Sequence, residues 1–247
     1  MGRLDDRRVL VIGGSAGMGY AIAEAAIDEG AEVAIAARGR QRLEEAALRL
    51  EERGGRSVRR QPLRVEDRDD VRRFLEESDP FDHLALPGST VQPVGYTDLD
   101  EGTARASFDS KFWGPFWAAF DARPHMRPGG SIVLFSGVSA RRPVPGYVMG
   151  ACINGALEAA TRSLALELGD AGLRINTISP GFIMTPLFAA LHDPEDVAER
   201  VADAERRLPV GRVGTPEEAA SVAMMFMTNG FVTGQVLVLD GGLLATY

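Results

Sequence analysis

The sequence predicts a doubly wound α/β domain, a parallel sheet of about seven strands with helices on both faces. Three observations carry that expectation. Short apolar runs alternate with amphipathic stretches rich in Ala, Glu, Leu and Arg, the pattern of strand followed by helix. Several runs are apolar on successive residues rather than on every second one, which suits strands covered on both faces. The first run ends in a glycine-rich turn that opens into a helical stretch, as a βαβ unit requires.

The elements follow in order. VLVIG at 9–13 reads as the first strand and the Ala-rich 18–29 as the first helix; EVAIAA at 32–37 is the second strand, and the amphipathic 40–53 the second helix. A third strand is expected at 57–65 and a helix at 69–77, then HLAL at 83–86 as the fourth strand. Two long helices, 103–126 and 147–169, flank the strand SIVLFS at 131–136, and their length suggests packing surfaces between subunits of a homodimer or homotetramer. RINTIS at 174–179, helices at 194–207 and 216–227, and QVLVL at 235–239 complete one domain spanning 1–247.

Composition narrows the function classes. The 247 residues are 45% hydrophobic and 25% charged, a globular balance. Acidic residues outnumber basic ones 35 to 27, for a net charge of −8, and no Lys/Arg run concentrates positive charge. Nucleic acid and anionic membrane are therefore not expected partners; a small molecule is. No stretch reaches the roughly 18 consecutive apolar residues of a membrane span. One cysteine, Cys152, forms no internal disulfide and fits no zinc spacing, and His83, His125 and His192 share no triad or metal spacing, so no metal is expected. The opening MGRLDDRRVLVIGG has no long apolar signal core, which makes a cytoplasmic protein the expectation.

The turn after the first strand carries Gly13, Ser15, Gly17, Met18 and Gly19. Glycine there permits a tight turn and lets backbone N–H groups approach a pyrophosphate at the positive end of the helix. The second strand ends at Ala37-Arg38, where a protein selecting NAD would usually offer an acidic side chain to the ribose. A guanidinium suits a 2′-phosphate instead, so NADP(H) is expected over NAD.

In these motifs the chain resembles the short-chain dehydrogenase/reductase family over nearly its whole length, which implies a Rossmann-type fold. Gly13-x3-Gly17-x-Gly19 is similar to that family's glycine turn, ATRSLALEL to the end of its active-site helix, and RINTISPGFIMTP to its sixth strand with the Pro180-Gly181 step. GRVGTPEEAA through FVTGQVLVLDGG is similar to its tail. The resemblance implies a nicotinamide cofactor, a carbonyl or alcohol substrate, and a mobile lid over that substrate at 182–208. In the lid, Met184, Leu187, Phe188 and His192 suggest an apolar ligand, unless those side chains serve packing.

The family's catalytic positions are where this chain departs. The resemblance places a tyrosine at Gly150, a lysine at Asn154, a serine at Gly137 and an asparagine at Lys111, so none of the four is retained. The family's asparagine-rich turn reads Leu86-Pro87-Gly88-Ser89, its adenine-binding aspartate is Arg64, and the threonine opening its glycine motif is Ile12.

Asparagine's place thus holds lysine, and lysine's place holds asparagine. Lys111, the single lysine of the chain, is the candidate to bring charge and a proton to a substrate oxygen; the alternative is solvent exposure or pairing with Asp109. Tyr147 precedes Gly150 by three residues and Asn154 by seven, one and two helical turns, and the missing side chain at Gly150 leaves room for its phenol. It could instead staple the helix start. Ser139 is the serine expected on the side of Gly137, if the strand extends that far, rather than Ser136. The expected function is an NADP(H)-binding oxidoreductase acting on a small apolar carbonyl or alcohol through a non-standard site. The alternatives are a non-redox cyclase, isomerase or dehydratase on the same fold, or a non-catalytic binding protein.

Overall fold

Residues 2–88, 91, 93–190 and 193–246 are described in the structure, a computed structural model. The chain runs β1 (Arg8–Ile12), α1 (Gly17–Asp28), β2 (Glu32–Ala37), α2 (Arg40–Gly54), β3 (Arg59–Pro62), α3 (Arg68–Glu76) and β4 (Phe81–Leu86). A continuous helical run then comprises α4 (Glu101–Phe108), a π-helical turn at Asp109–Trp113 and α5 (Gly114–Ala122). Next come β5 (Met126–Phe135), α6 (Val148–Gly169), β6 (Arg174–Pro180), α7 (Pro186–Ala190), α8 (Pro194–Arg207), α9 (Pro216–Thr228) and β7 (Val236–Leu239).

All seven strands pair in parallel, in the order β3-β2-β1-β4-β5-β6-β7. The two faces of the sheet are buried separately, which explains the uninterrupted apolar runs. From β1, Val9 and Val11 pack with Ile22, Ala26, Leu43, Leu50 and Phe226 of α1, α2 and α9. Their neighbours Leu10 and Ile12 pack on the other side with Phe74, Ala118, Ile153 and Leu157 of α3, α5 and α6. Each such side chain contributes roughly 1.5–3 kcal/mol on burial, so alternate residues of one strand hold opposite helix layers.

Several expected boundaries move. The strand expected at 57–65 shortens to Arg59–Pro62 at the sheet edge, where Arg60 reaches Glu44 and Glu51 of α2. Strand β5 begins at Met126, inside the helix expected to run to that residue, and the π-helical turn interrupts the same helix. Helix α6 starts at Val148, leaving Tyr147 as its N-cap with φ −132° and ψ 32°.

Candidate active site

The strand order reverses between β1 and β4, and the crevice beyond the carboxyl ends of the strands at such a switch point is where doubly wound sheets hold ligands. Gly13 leaves β1 with φ +102°, and its amide donates to the Ala36 carbonyl at 2.7 Å. A Cβ on Gly13 would lie 2.4 Å from Gly88 Cα, across the switch point, and one on Gly19 would lie 2.1 Å from the Gly13 carbonyl oxygen. Both positions are therefore closed to any side chain. Helix α1 begins beside this turn behind Ala16, with no side-chain cap and no acid in its first turn. Uncapped amides at a helix start, approached by bare backbone, fit a pyrophosphate. Ser15 and Met18 lie within the same turn and first helical residues.

The surrounding positions follow from the sheet. Ile12 pairs with Ala36, so exposed Arg38, two residues on, lies at the end of the sheet that bears the glycine turn. Arg64, at the position of the family's adenine-binding aspartate, ion-pairs with Glu66 at 2.7 Å. Pro180 ends β6, and the Gly181 amide donates to Leu239 O at 2.8 Å. The chain then crosses toward the turn: a Cβ on Gly17 would meet Thr185 at 3.4 Å. The Phe182 and Phe188 rings are 4.7 Å apart, and the Met184 amide donates to Gly214 O at 3.0 Å. His192 and Ser89 lie outside the described residues, as does the side chain of Leu187.

Four of the singled-out residues converge on the end of β5 and the start of α6. Lys111 sits in the π-helical turn, a deformation often found at functional sites, and its Nζ donates to the Ser136 carbonyl at 3.4 Å. The residue is partly exposed, but its charge centre lies deep in the protein, and loss of hydration lowers its pKa to about 8. Asn154 is buried and donates through Nδ2 to Ser139 Oγ at 2.8 Å; its Oδ1 is buried with no hydrogen-bond partner. A Cβ on Gly137 would lie 2.8 Å from Asn154 Nδ2, so the amide fills the space a side chain at 137 would need.

Tyr147 completes the group. A Cβ on Gly150 would lie 2.0 Å from Tyr147 Cε1, so its ring rests in the gap left by that glycine, and burial pushes the phenol pKa up. Ser139 is buried; the strand does not extend to it, and it lies instead in a 3-10 turn, Val138–Ala140, so strand alternation does not set its side. Missed by sequence reasoning was Glu158, a buried acid one turn beyond Asn154 on the apolar face of α6. A charged residue between Leu157 and Thr161 on that face was the available signal.

A family profile described as enoyl-(acyl carrier protein) reductase matches residues 13–244. The short-chain dehydrogenase/reductase ATR9 of Stachybotrys chlorohalonatus is 32% identical over 95% of this chain and 95% of its own. The chain belongs to the short-chain dehydrogenase/reductase family. Among solved structures of this short-chain dehydrogenase/reductase type, a small-chain dehydrogenase in complex with NADPH is 31% identical, covers 97% of this chain and 99% of its own, and superposes with a TM-score of 0.83. MalC reductase/Diels-Alderase from Malbranchea aurantiaca is 25% identical, covers 98% of each chain and has a TM-score of 0.92. Among the described residues no His, Cys, Asp and Glu cluster could hold a metal ion, and no helix is long and apolar enough to cross a membrane.

Proposed function

We propose that this short-chain dehydrogenase/reductase is an NADP(H)-dependent oxidoreductase acting on a small, apolar carbonyl or alcohol, with Lys111 as the acid at the substrate oxygen. The observation that carries the reading is the inward placement of the Lys111 ammonium against the Ser136 carbonyl, one residue before Gly137, whose side-chain space Asn154 fills, with a pKa lowered to about 8. At pH 7 such a group is mostly protonated and still close enough to its pKa to give the proton up. Tyr147 is displaced in the opposite direction by burial, which makes Lys111 the better proton donor and leaves the phenol to orient the substrate.

Gly13, Ser15, Gly17, Met18 and Gly19, with the uncapped start of α1, would hold the pyrophosphate; Pro180 and Gly181 would border the nicotinamide; and Arg38 would favour the 2′-phosphate of NADP(H). When bound, the nicotinamide supplies or accepts a hydride at the substrate carbon. Ser139 and Asn154 hold the substrate oxygen near the lysine, and the 182–208 segment, with Phe182 and Phe188, covers the site as an apolar lid. The NADPH complex of the 31% identical dehydrogenase supports the cofactor. A cytoplasmic homodimer or homotetramer, joined through exposed Trp113 of the π-helical turn and Phe120 of α5, belongs to the same proposal.

One observation favours a second reading, a non-redox cyclase or isomerase in the same pocket. All four family catalytic positions are changed, and a fold neighbour is named both reductase and Diels-Alderase. Incubation with NADPH and a panel of apolar aldehydes and ketones, followed at the nicotinamide absorbance band, separates the two. Oxidation that falls at least tenfold in Lys111→Met supports the reductase; tight NADPH binding without oxidation of any substrate supports the non-redox enzyme.

A further inference from the structure

Two carboxylates are buried among the described residues, Asp82 and Glu158. Asp82 lies at the start of β4, ringed by Arg7, Arg127 and the Arg8 amide, at the opposite end of the sheet from the site. Glu158 lies on α6 four residues after Asn154, on the same helical face. Its Oε1 accepts from Ser136 Oγ at 3.2 Å and Ser179 Oγ at 3.1 Å, and its Oε2 accepts from Arg141 Nε at 3.2 Å and Nη2 at 3.0 Å. A carboxylate taken out of water persists when its lone pairs are satisfied in this way.

Each donor belongs to a different wall of the site. Ser136 follows β5: its amide donates to Ile178 O at 2.9 Å, its carbonyl accepts from Lys111, and its hydroxyl is spent on Glu158. Ser179 immediately precedes Pro180-Gly181. Arg141 ends the turn that carries Ser139, the partner of Asn154. One side chain therefore ties the acceptor of the lysine, the approach to the Pro-Gly step and the serine turn to α6.

We propose that Glu158 is the positioning residue of this site: acting through Ser136, Ser179 and Arg141, it sets where Lys111, Asn154 and the Pro180-Gly181 step meet a bound nucleotide or substrate. It touches neither of them itself. The proposal rests on the site described under the proposed function, although its first test needs no turnover.

Because Lys111 is the single lysine, 13C-lysine labelling gives one side-chain NMR signal whose titration reports its pKa directly. In Glu158→Gln and Ser136→Ala the carbonyl that accepts from Lys111 loosens, so the charged form loses support and the titration falls by at least half a pH unit below wild type. The double variant falls no further than Glu158→Gln alone, since the Ser136 hydroxyl acts through that carboxylate. NADPH affinity, read by calorimetry, drops at least threefold in Glu158→Gln. Asp82→Asn, which also disturbs a buried carboxylate, leaves both readouts at their wild-type values. A lysine titration in Glu158→Gln and Ser136→Ala that stays within 0.2 pH units of wild type, rises, or moves only as far as in Asp82→Asn overturns the proposal. Should wild-type protein not bind NADPH, the oxidoreductase reading falls while the lysine titration still decides the role of Glu158.

Discussion

Taking the Lys111 ammonium out of water carries a cost that a methionine of similar length would not bear. Its pKa is near 8 in the fold and 10.5 when exposed, so the charged form is disfavoured by folding. Lys111→Met is expected to raise the unfolding free energy by about 1–3 kcal/mol at pH 7. The sign follows from the lowered pKa: the gain is full below pH 8 and fades as the pH climbs through 10.5, where the lysine is neutral in both states. Urea unfolding at pH 7 and pH 10 measures it, and a loss of stability in the variant would mark the lysine as structural. Gly150→Ala displaces the phenol while leaving residue 147 a tyrosine, because the added methyl would lie 2.0 Å from the Tyr147 ring and must push it aside. Turnover should fall to the level of Tyr147→Phe while the melting temperature holds. Lys111 and Asn154 could be named as candidates from the sequence because the resemblance places them at the family's active-site positions. Glu158 could not, since its partners Ser136, Arg141 and Ser179 come together only when the ends of two strands and a turn meet α6.

Strand β4 carries a second group whose protonation is coupled to folding. His83 is buried, its Nδ1 lies 3.0 Å from Ser131 Oγ on β5, and loss of hydration lowers its pKa to about 4. A histidine held neutral by the fold stabilises it fully above pH 6.5, and that contribution is lost as the pH falls toward 4, by up to about 3 kcal/mol. His83→Gln should flatten the decline of the urea midpoint between pH 7 and pH 4.5. An unchanged slope would remove the histidine from the acid transition. At this scale the alternation of strands and helices was readable because the sheet has two buried faces, so β1 and the ends of β2, β4 and β5 carry apolar residues in succession. The edge strand β3 was overextended because Ser57 and Val58 before it and Arg64 and Val65 after it continue its pattern outside the β2 register, the Leu63 amide still donating to Ala37 O at 3.1 Å. The π-helical turn under Lys111 left no trace in periodicity, for a single wide turn shifts the apolar face of a helix without erasing it.

The whole molecule joins two halves of one sheet at the β1–β4 switch point, with the glycine turn on one side and the lysine, asparagine and serine on the other. Its outer surface is not uniformly polar: Trp113 and Phe120 are 43% and 59% exposed along the α5 run, and Leu166 on α6 is 83% exposed. Exposed apolar surface of this kind suits a second copy, and sedimentation equilibrium should show a dimer or tetramer that Phe120→Asp shifts toward monomer. A wild-type monomer would contradict that assembly. Whether the switch point serves a nicotinamide nucleotide is tested most directly by calorimetric titration with NADPH and then NADH. Expected is saturable binding of NADPH with NADH at least roughly tenfold weaker, about 1.4 kcal/mol of discrimination; the absence of binding by either nucleotide would contradict it.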